Sequence, residues 1–403
     1  MKKENKSVKA YKGFNKYMQC TPNGEIFQYE IGKEYKEDEA NLCHCGFHAC
    51  ENPLDVLSYY NNIDDKFCEV ELDEIDPNRN RDSKICGKKI KIDIEIGFLG
   101  LFKAGIEWIK NKTIFTKEDF KKLPSGDYAQ IGSSSDDAQI SSSGDDAQIG
   151  SSGDGAKIGS SGNYAQIGSS GDYARIGSSG DDAKIGSSGY NAQISSSGYN
   201  VQIGSSGDDA KIGSFGHNAK IGSSGDDAKI GSFGNGAKIG SSGDYVQIGS
   251  SGYNVKIGSS GDDAKISSSG NYAQISSSGN YAQISSSGNY AQIGSSGDYV
   301  QIGSSGYNVK IGSSGDDAKI SSSGGSAKID SSGDDCVIMC AGINSSAKAK
   351  IGSWITLAEW KYSEEKQKCI PFSVVTKQVD GIEIKEDVYY TLQDGKFKES
   401  EQQ

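Results

Sequence analysis

Proline is nearly absent (5 of 403 residues), apolar residues make up only 34%, and no apolar run approaches the ~18 residues of a membrane span. The lysine-rich opening MKKENKSVKAYKG lacks the apolar core of a signal peptide. The nine cysteines are an odd number without framework spacing, which argues against a secreted disulfide scaffold. These shortages predict a soluble, cytoplasmic protein with reduced thiols. So low an apolar content ordinarily signals disorder. Here the deficit is concentrated in a Gly/Ser-rich middle, which holds most of the 54 glycines and has a strict period.

Isoleucine recurs every nine residues from Ile131 to Ile338, twenty-four times without an insertion or deletion. Two residues before each stands Ala, Val or, in the last copy, Cys336; between them lies Lys, Gln or Arg except at Val337. The unit is G-[DNY]-[DYNG]-[AV]-[KQ]-I-[GS]-S-S. Apolar–polar–apolar is a period-two signal, so each unit supplies one short strand with Ala and Ile on one face. The Ser-Ser-Gly-Asp segment is turn chemistry, with Gly tolerating positive φ and Asp or Asn bonding back to the backbone. One nonapeptide cannot bury its apolar face alone, but a stack can. A flexible linker has no reason to hold Ile in phase, so the prediction is a mainly β protein built on a parallel β-solenoid.

Residues 207–224 and 225–242 differ at two positions, an 18-residue duplication that places Phe215 and Phe233 in adjacent coils. Residues 243–269 and 297–323 are identical at an offset of 54, a multiple of both 18 and 27. Small inward residues favour a thin two-sided roll: 18 residues per coil, twelve coils, roughly 58 Å long at the ~4.8 Å strand spacing. A 27-residue triangle would be roughly 38 Å long.

A solenoid leaves open strand edges at its ends and needs caps. Residues 1–122 read as an α+β N-terminal cap, with strands in VKAYKGF, FQYEIGKEY, FCEVEL and ICGKKIKIDIEI. A helix is expected after Asn52-Pro53 and another in FLGLFKAGIEWIKNK. The repeats occupy 126–340. Residues 341–403 read as an antiparallel β cap, with WITLAEW, IPFSVVTKQV and EDVYYTLQ separated by turns at Asp380-Gly381 and Asp394-Gly395.

Of the net charge of −12, −10 falls on residues 126–338, which hold 22 Asp, no Glu and 12 Lys plus Arg. Lys tends to accompany Asp pairs, as in Asp181-Asp182-Ala183-Lys184, which suits a solvated surface. Twelve of the 21 tyrosines lie beside the turns, where they can brace neighbouring coils and form an amphipathic contact surface. The binding candidates are Asp181, Asp182, Tyr190, Tyr199, Asp208, Asp209, Asp226, Asp227, Tyr245 and Tyr253.

Calcium ladders of the toxin-repeat kind are not expected, because aligning the glycines puts Lys or Gln where that motif needs a large apolar residue. Threonine is absent from the repeats, so they form no flat threonine array of the kind that binds ice. Cys43, Cys45, His48 and Cys50 in CHCGFHAC hold four soft ligands for Zn²⁺, but C-x-C-x₂-H-x-C is tighter than usual zinc knuckles. GFHAC also alternates as a half-buried strand does, with its Cys in the core. No nucleotide loop, nucleophile elbow or HExxH is present, and no cofactor is expected.

YKGF, GFHACENPLDVLSYY and FCEVEL together resemble ADP-ribosyltransferase-like folds, whose early strand carries Arg-Gly or His-Gly. That resemblance implies a nicotinamide dinucleotide cleft near Tyr11, Gly13 and His48. Lys12 stands where Arg or His belongs, and Glu69 and Glu71 alternate like surface residues. More broadly, KAYKGFNKYMQC, FQYEIGKEY, GFHACENPLDVLSYY and DSKICGKKIKI resemble an uncharacterised domain of phage and prophage proteins from low-GC bacteria. There it precedes Gly/Ser repeats and a tail like AKAKIGSWITLAEW. The resemblance implies a phage origin, a host cytoplasmic location and a non-enzymatic inhibitor of host machinery. The leading expectation is a rigid, non-catalytic scaffold presenting an acidic surface to a host protein, without direct nucleic-acid or membrane binding; oligomers are left open. The alternatives are an acidic DNA mimic that occupies a DNA-binding defence protein and an ADP-ribosyltransferase-like enzyme.

Overall fold

A computed structural model describes residues 7–60, 64–78, 83–113 and 126–400. The chain forms two compact units, residues 1–114 and 115–403.

In the first unit, β1 (Val8–Phe14), β2 (Gln19–Cys20), β3 (Phe27–Gln28), β4 (Glu34–Lys36), β5 (Phe47–Cys50), β6 (Lys66–Ile75) and β7 (Lys84–Glu95) precede α1 (Gly97–Thr113). β4, β7, β5, β1 and β6 form one antiparallel sheet, and β7 also pairs with β6, so the strands close on themselves. Alternation places Ala10 and Phe14 inside with Phe47, Val70, Leu72, Ile90 and Ile92. FQYEIGKEY is not one strand: Gly32, at φ 82°, turns the chain between β3 and β4. Pro53–Ser58 is a 3₁₀ turn rather than an α-helix, capped where the Asn52 side chain accepts the Leu54 N–H at 3.1 Å. α1 buries Leu101 and Phe102, as its apolar spacing predicts.

In the second unit, the repeats wind a two-sided parallel β-solenoid with 18 residues per coil. Each four-residue strand pairs in register with the strand eighteen residues on, as Ile149 does with Ile167 and Ile158 with Ile176. Alternate units therefore build a front sheet beginning at Gln130–Ser133 and a back sheet beginning at Gln139–Ser142. Ala or Val, Ile and the first Ser after each strand's [GS] position point inward and are buried through most of the stack. Each buried Ile contributes about 1.5–3 kcal/mol, so the stack holds a core despite its composition. Phe215 and Phe233 stack in adjacent coils with centroids 5.5 Å apart.

The winding continues past the last repeat isoleucine, giving about thirteen coils over residues 130–357 rather than twelve. Ser346–Lys348 adds a parallel strand to the front sheet, and the first half of Trp354–Ser363 adds one to the back. Lys368–Gln378 then closes the back sheet antiparallel, and the hairpin Tyr390–Gln393/Lys396–Glu399 closes the front. Asp394-Gly395 turns that hairpin, with both residues at positive φ. Asp380-Gly381 instead joins the two hairpins, the Asp380 carboxylate accepting the N–H groups of Ile382, Glu383 and Ile384.

The turn glycines serve a different purpose from the one their φ freedom suggests. The left-handed residue is the second one after each Gly, such as Asp182 (φ 56°) or Tyr245 (φ 57°). The Gly itself is demanded by close approach: a Cβ on Gly225 would overlap the carbonyl of Gly207 in the preceding coil.

Candidate functional site

The first turn residue after Gly carries a ladder along the solenoid. Asp208 accepts the N–H of Asp226 at 3.0 Å, Asp226 that of Asp244 at 2.9 Å, and Asp181 that of Tyr199 at 2.7 Å. Asn does the same work, as where Asn280 accepts the Asp298 N–H at 3.0 Å. These aspartates therefore satisfy turn amides that strand pairing leaves open.

Two edges run along the solenoid, one made by turns entering the front sheet and one by turns entering the back. Sixteen of the twenty-one turn aspartates lie on the back edge, and only Asp127, Asp145, Asp146, Asp181 and Asp182 on the front. In four consecutive coils the back edge carries Asp208, Asp209, Asp226, Asp227, Asp244, Asp262 and Asp263. The front edge of the same stretch carries Tyr199, His217, Asn235 and Tyr253. The ten residues singled out by sequence thus do not form one surface. Asp181, Asp182, Tyr199 and Tyr253 lie on the front edge, and Tyr190, Asp208, Asp209, Asp226, Asp227 and Tyr245 on the back. The signal that separates them, the 18-residue phase of the Asp pairs, appears once the units are written in two columns.

Partial burial and then the neighbouring Asp209 raise the Asp227 carboxyl above its ordinary value. Tyr190 bonds to Asp209, which pushes its phenol up to about 12. Tyrosines also brace one another: Tyr281 and Tyr299 stack at 5.1 Å on the back edge, Tyr272 and Tyr290 at 5.0 Å on the front.

The outer faces differ as well. At the outward position after each repeat Ile, the front sheet has Gly in ten of twelve coils and the back sheet in six. A Cβ on Gly222 would meet nothing within 4 Å, so the front face carries a shallow glycine-floored groove beside its Lys/Gln row. Tyr389 stands at one end, with Lys328 Nζ 4.2 Å from its ring centroid.

In the first unit, the CHCGFHAC residues serve the local fold. His48 Nε2 accepts the Cys43 N–H at 2.9 Å, Cys50 is buried in β5, and Cys45 accepts the Cys86 thiol through its carbonyl. Burial, Lys84 and Lys12 lower the His48 pKa to about 4. Among the described residues, no group of three or more His, Cys, Asp or Glu is placed to hold a metal. Lys12 Nζ donates to the His48 carbonyl at 2.8 Å and lies 5.7 Å from the Phe14 and Tyr29 rings. A Cβ on Gly13 would overlap the Tyr60 ring, which occupies the space beside it. Tyr11 pairs with Cys50 and Glu69 across β1, and Glu69 is ion-paired with Lys9 at 2.7 Å.

Residues 8–104 match the family model of a domain of unknown function, DUF7666. The match spans β1 into α1, and thus falls wholly within the first unit. No curated protein and no solved structure matches the chain. Among the described residues, no helix is long and apolar enough to cross a membrane.

Proposed function

We propose that the solenoid is a rigid, non-catalytic scaffold whose back edge presents an acidic surface to a basic protein partner. The observation that carries this reading is the sorting of sixteen turn aspartates onto one edge. Folding alone gives no reason for it, because Asn completes the same hydrogen-bond ladder without the charge. A regular rod holds its carboxylates at a fixed spacing of roughly 4.8 Å per coil, so little ordering entropy is lost when a partner docks. A phage-encoded inhibitor acting in a host cytoplasm is the setting that the resemblance of the flanking segments favours.

A second reading, mimicry of duplex DNA, draws on the densest stretch. Seven carboxylates over four coils amount to one per roughly 2.7 Å, against about one charge per 1.7 Å of duplex. A host DNA-binding protein would be its target.

Capture from bacterial lysate by wild-type protein and by a D208N/D226N/D244N/D262N variant tests both readings. The binding reading expects a basic protein that the wild type retains at low salt, loses at high salt, and that the variant does not retain. Equal capture by the variant would overturn it. Release of the captured protein by added duplex DNA selects mimicry; retention rejects it.

A further inference from the structure

The coils that carry the densest run of aspartate also carry a row of lysine on the outer face of the front sheet, beside the opposite long edge. Lys220, Lys238 and Lys256 begin consecutive front-sheet strands and are exposed. The turns beside them contribute Tyr199, His217, Asn235 and Tyr253 and no aspartate. The back edge at the same level presents Asp208, Asp226 and Asp262, each exposed. Lysine and aspartate rows on opposite sides of one rod cannot meet within a single molecule. Both rows repeat once per coil, at roughly 4.8 Å, so a second rod laid alongside in register matches them coil by coil.

We propose that copies of this chain associate side by side, the acidic back edge of one lying along Lys220, Lys238 and Lys256 of the next. The inference rests on the same acidic edge as the binding reading, but it requires no foreign partner. The glycine-floored groove beside the lysines leaves room for a neighbouring turn to approach. The net charge of −12 opposes association. That excess charge is spread along the chain, however, while the matched rows of a side-by-side contact lie close together. Their attraction therefore dominates locally and is weakened as salt rises. Opposite edges are different surfaces, so the contact is heterologous and extends into an open array rather than closing as a two-fold dimer.

The test is sedimentation of the full chain over a concentration series at low and high salt. The wild type is expected to form species of at least twice the monomer mass at low salt, and to revert to monomer at high salt. A K220Q/K238Q/K256Q variant and a D208N/D226N/D262N variant should each remain monomeric. Both sets use residues that occupy the same places elsewhere in the stack, Gln202 and Gln274 for the first and Asn280 for the second, and circular dichroism verifies their folding. Mixed together, the two variants retain one complementary pair of edges and should form a 1:1 dimer that does not extend. A wild type that stays monomeric at low salt, a lysine variant that associates like the wild type, or a mixture that stays monomeric would each overturn the proposal. Binding of polylysine separates the two readings. The lysine variant should retain it through its intact acidic edge, whereas loss of polylysine binding only in the aspartate variant supports that edge whatever the sedimentation result.

Discussion

Asp226 accepts the backbone N–H of Asp244, eighteen residues and one coil later, at 2.9 Å. The same bond joins Asp208 to Asp226, so each side chain ties its own turn to the next. Asp226→Asn should leave stability within about 0.5 kcal/mol, because an amide oxygen accepts the same bond. Asp226→Ala should cost about 0.5–1.5 kcal/mol by removing the acceptor. Urea unfolding of the two variants beside the wild type measures the difference.

Two glycines three residues apart should respond in opposite directions to the same change. Gly225→Ala forces a methyl group into the carbonyl of Gly207 and should destabilise by about 1–3 kcal/mol, as overpacking does. Gly222→Ala points into open space and should stabilise by roughly 0.5–1 kcal/mol by relieving the entropy cost of glycine in a strand. Denaturant midpoints at a constant slope would show the two signs.

The raised pKa of Asp227 carries a definite pH dependence. The folded carboxyl takes up its proton at higher pH than the unfolded one, whose value is 3.8. The folded state therefore binds more protons between the two values, and stability contributed by this group rises as pH falls through that window. Asp227→Asn should diminish that rise. Comparing the stability of both proteins from neutral pH to below 4 by thermal melting checks the sign.

His48 works the other way. Its folded pKa of about 4 lies below the ordinary 6.5, so the unfolded chain gains a proton first on acidification. Its contribution is fully present above pH 6.5, declines as pH falls from there towards 4, and is lost below the folded value. NMR titration of the His48 ring should show it neutral at pH 6. A midpoint near 6.5 would refute the assignment.

Tyr281 and Tyr299 stack at 5.1 Å with an 8° interplanar angle. A double-mutant cycle to Ala at both positions should yield a coupling of about 0.5–1.5 kcal/mol. That coupling helps offset the roughly 1–2 kcal/mol that a non-glycine residue bears in the left-handed conformation each tyrosine adopts, at φ 56° and 58°.

Much of the fold was legible because its determinants are local. Alternation of Ala183, Lys184 and Ile185 specifies a strand, and its recurrence in phase specifies a stack. The Phe215/Phe233 spacing already pointed to eighteen residues per coil. Less legible were Gly32, which breaks FQYEIGKEY, and the continuation of the coil through Ser346–Lys348, where Ala347 takes the isoleucine position beside Ile329. In that last case strand pairing prolongs a pattern that the side chains have already abandoned.

The candidate site was half legible. Sequence alone established which residues are acidic, which are aromatic, and that they stand at turns. The nine-residue unit does not by itself assign Asp182 to one edge and Asp209 to the other, because both occupy the same place in it; the eighteen-residue duplication only suggested the winding that separates them. That assignment depends on how many units close a coil, a property of the packed stack rather than of any unit within it. Two units per coil send alternate turns to opposite edges, so the tertiary winding decided that the aspartates gather on one side and Lys220, Lys238 and Lys256 on the other.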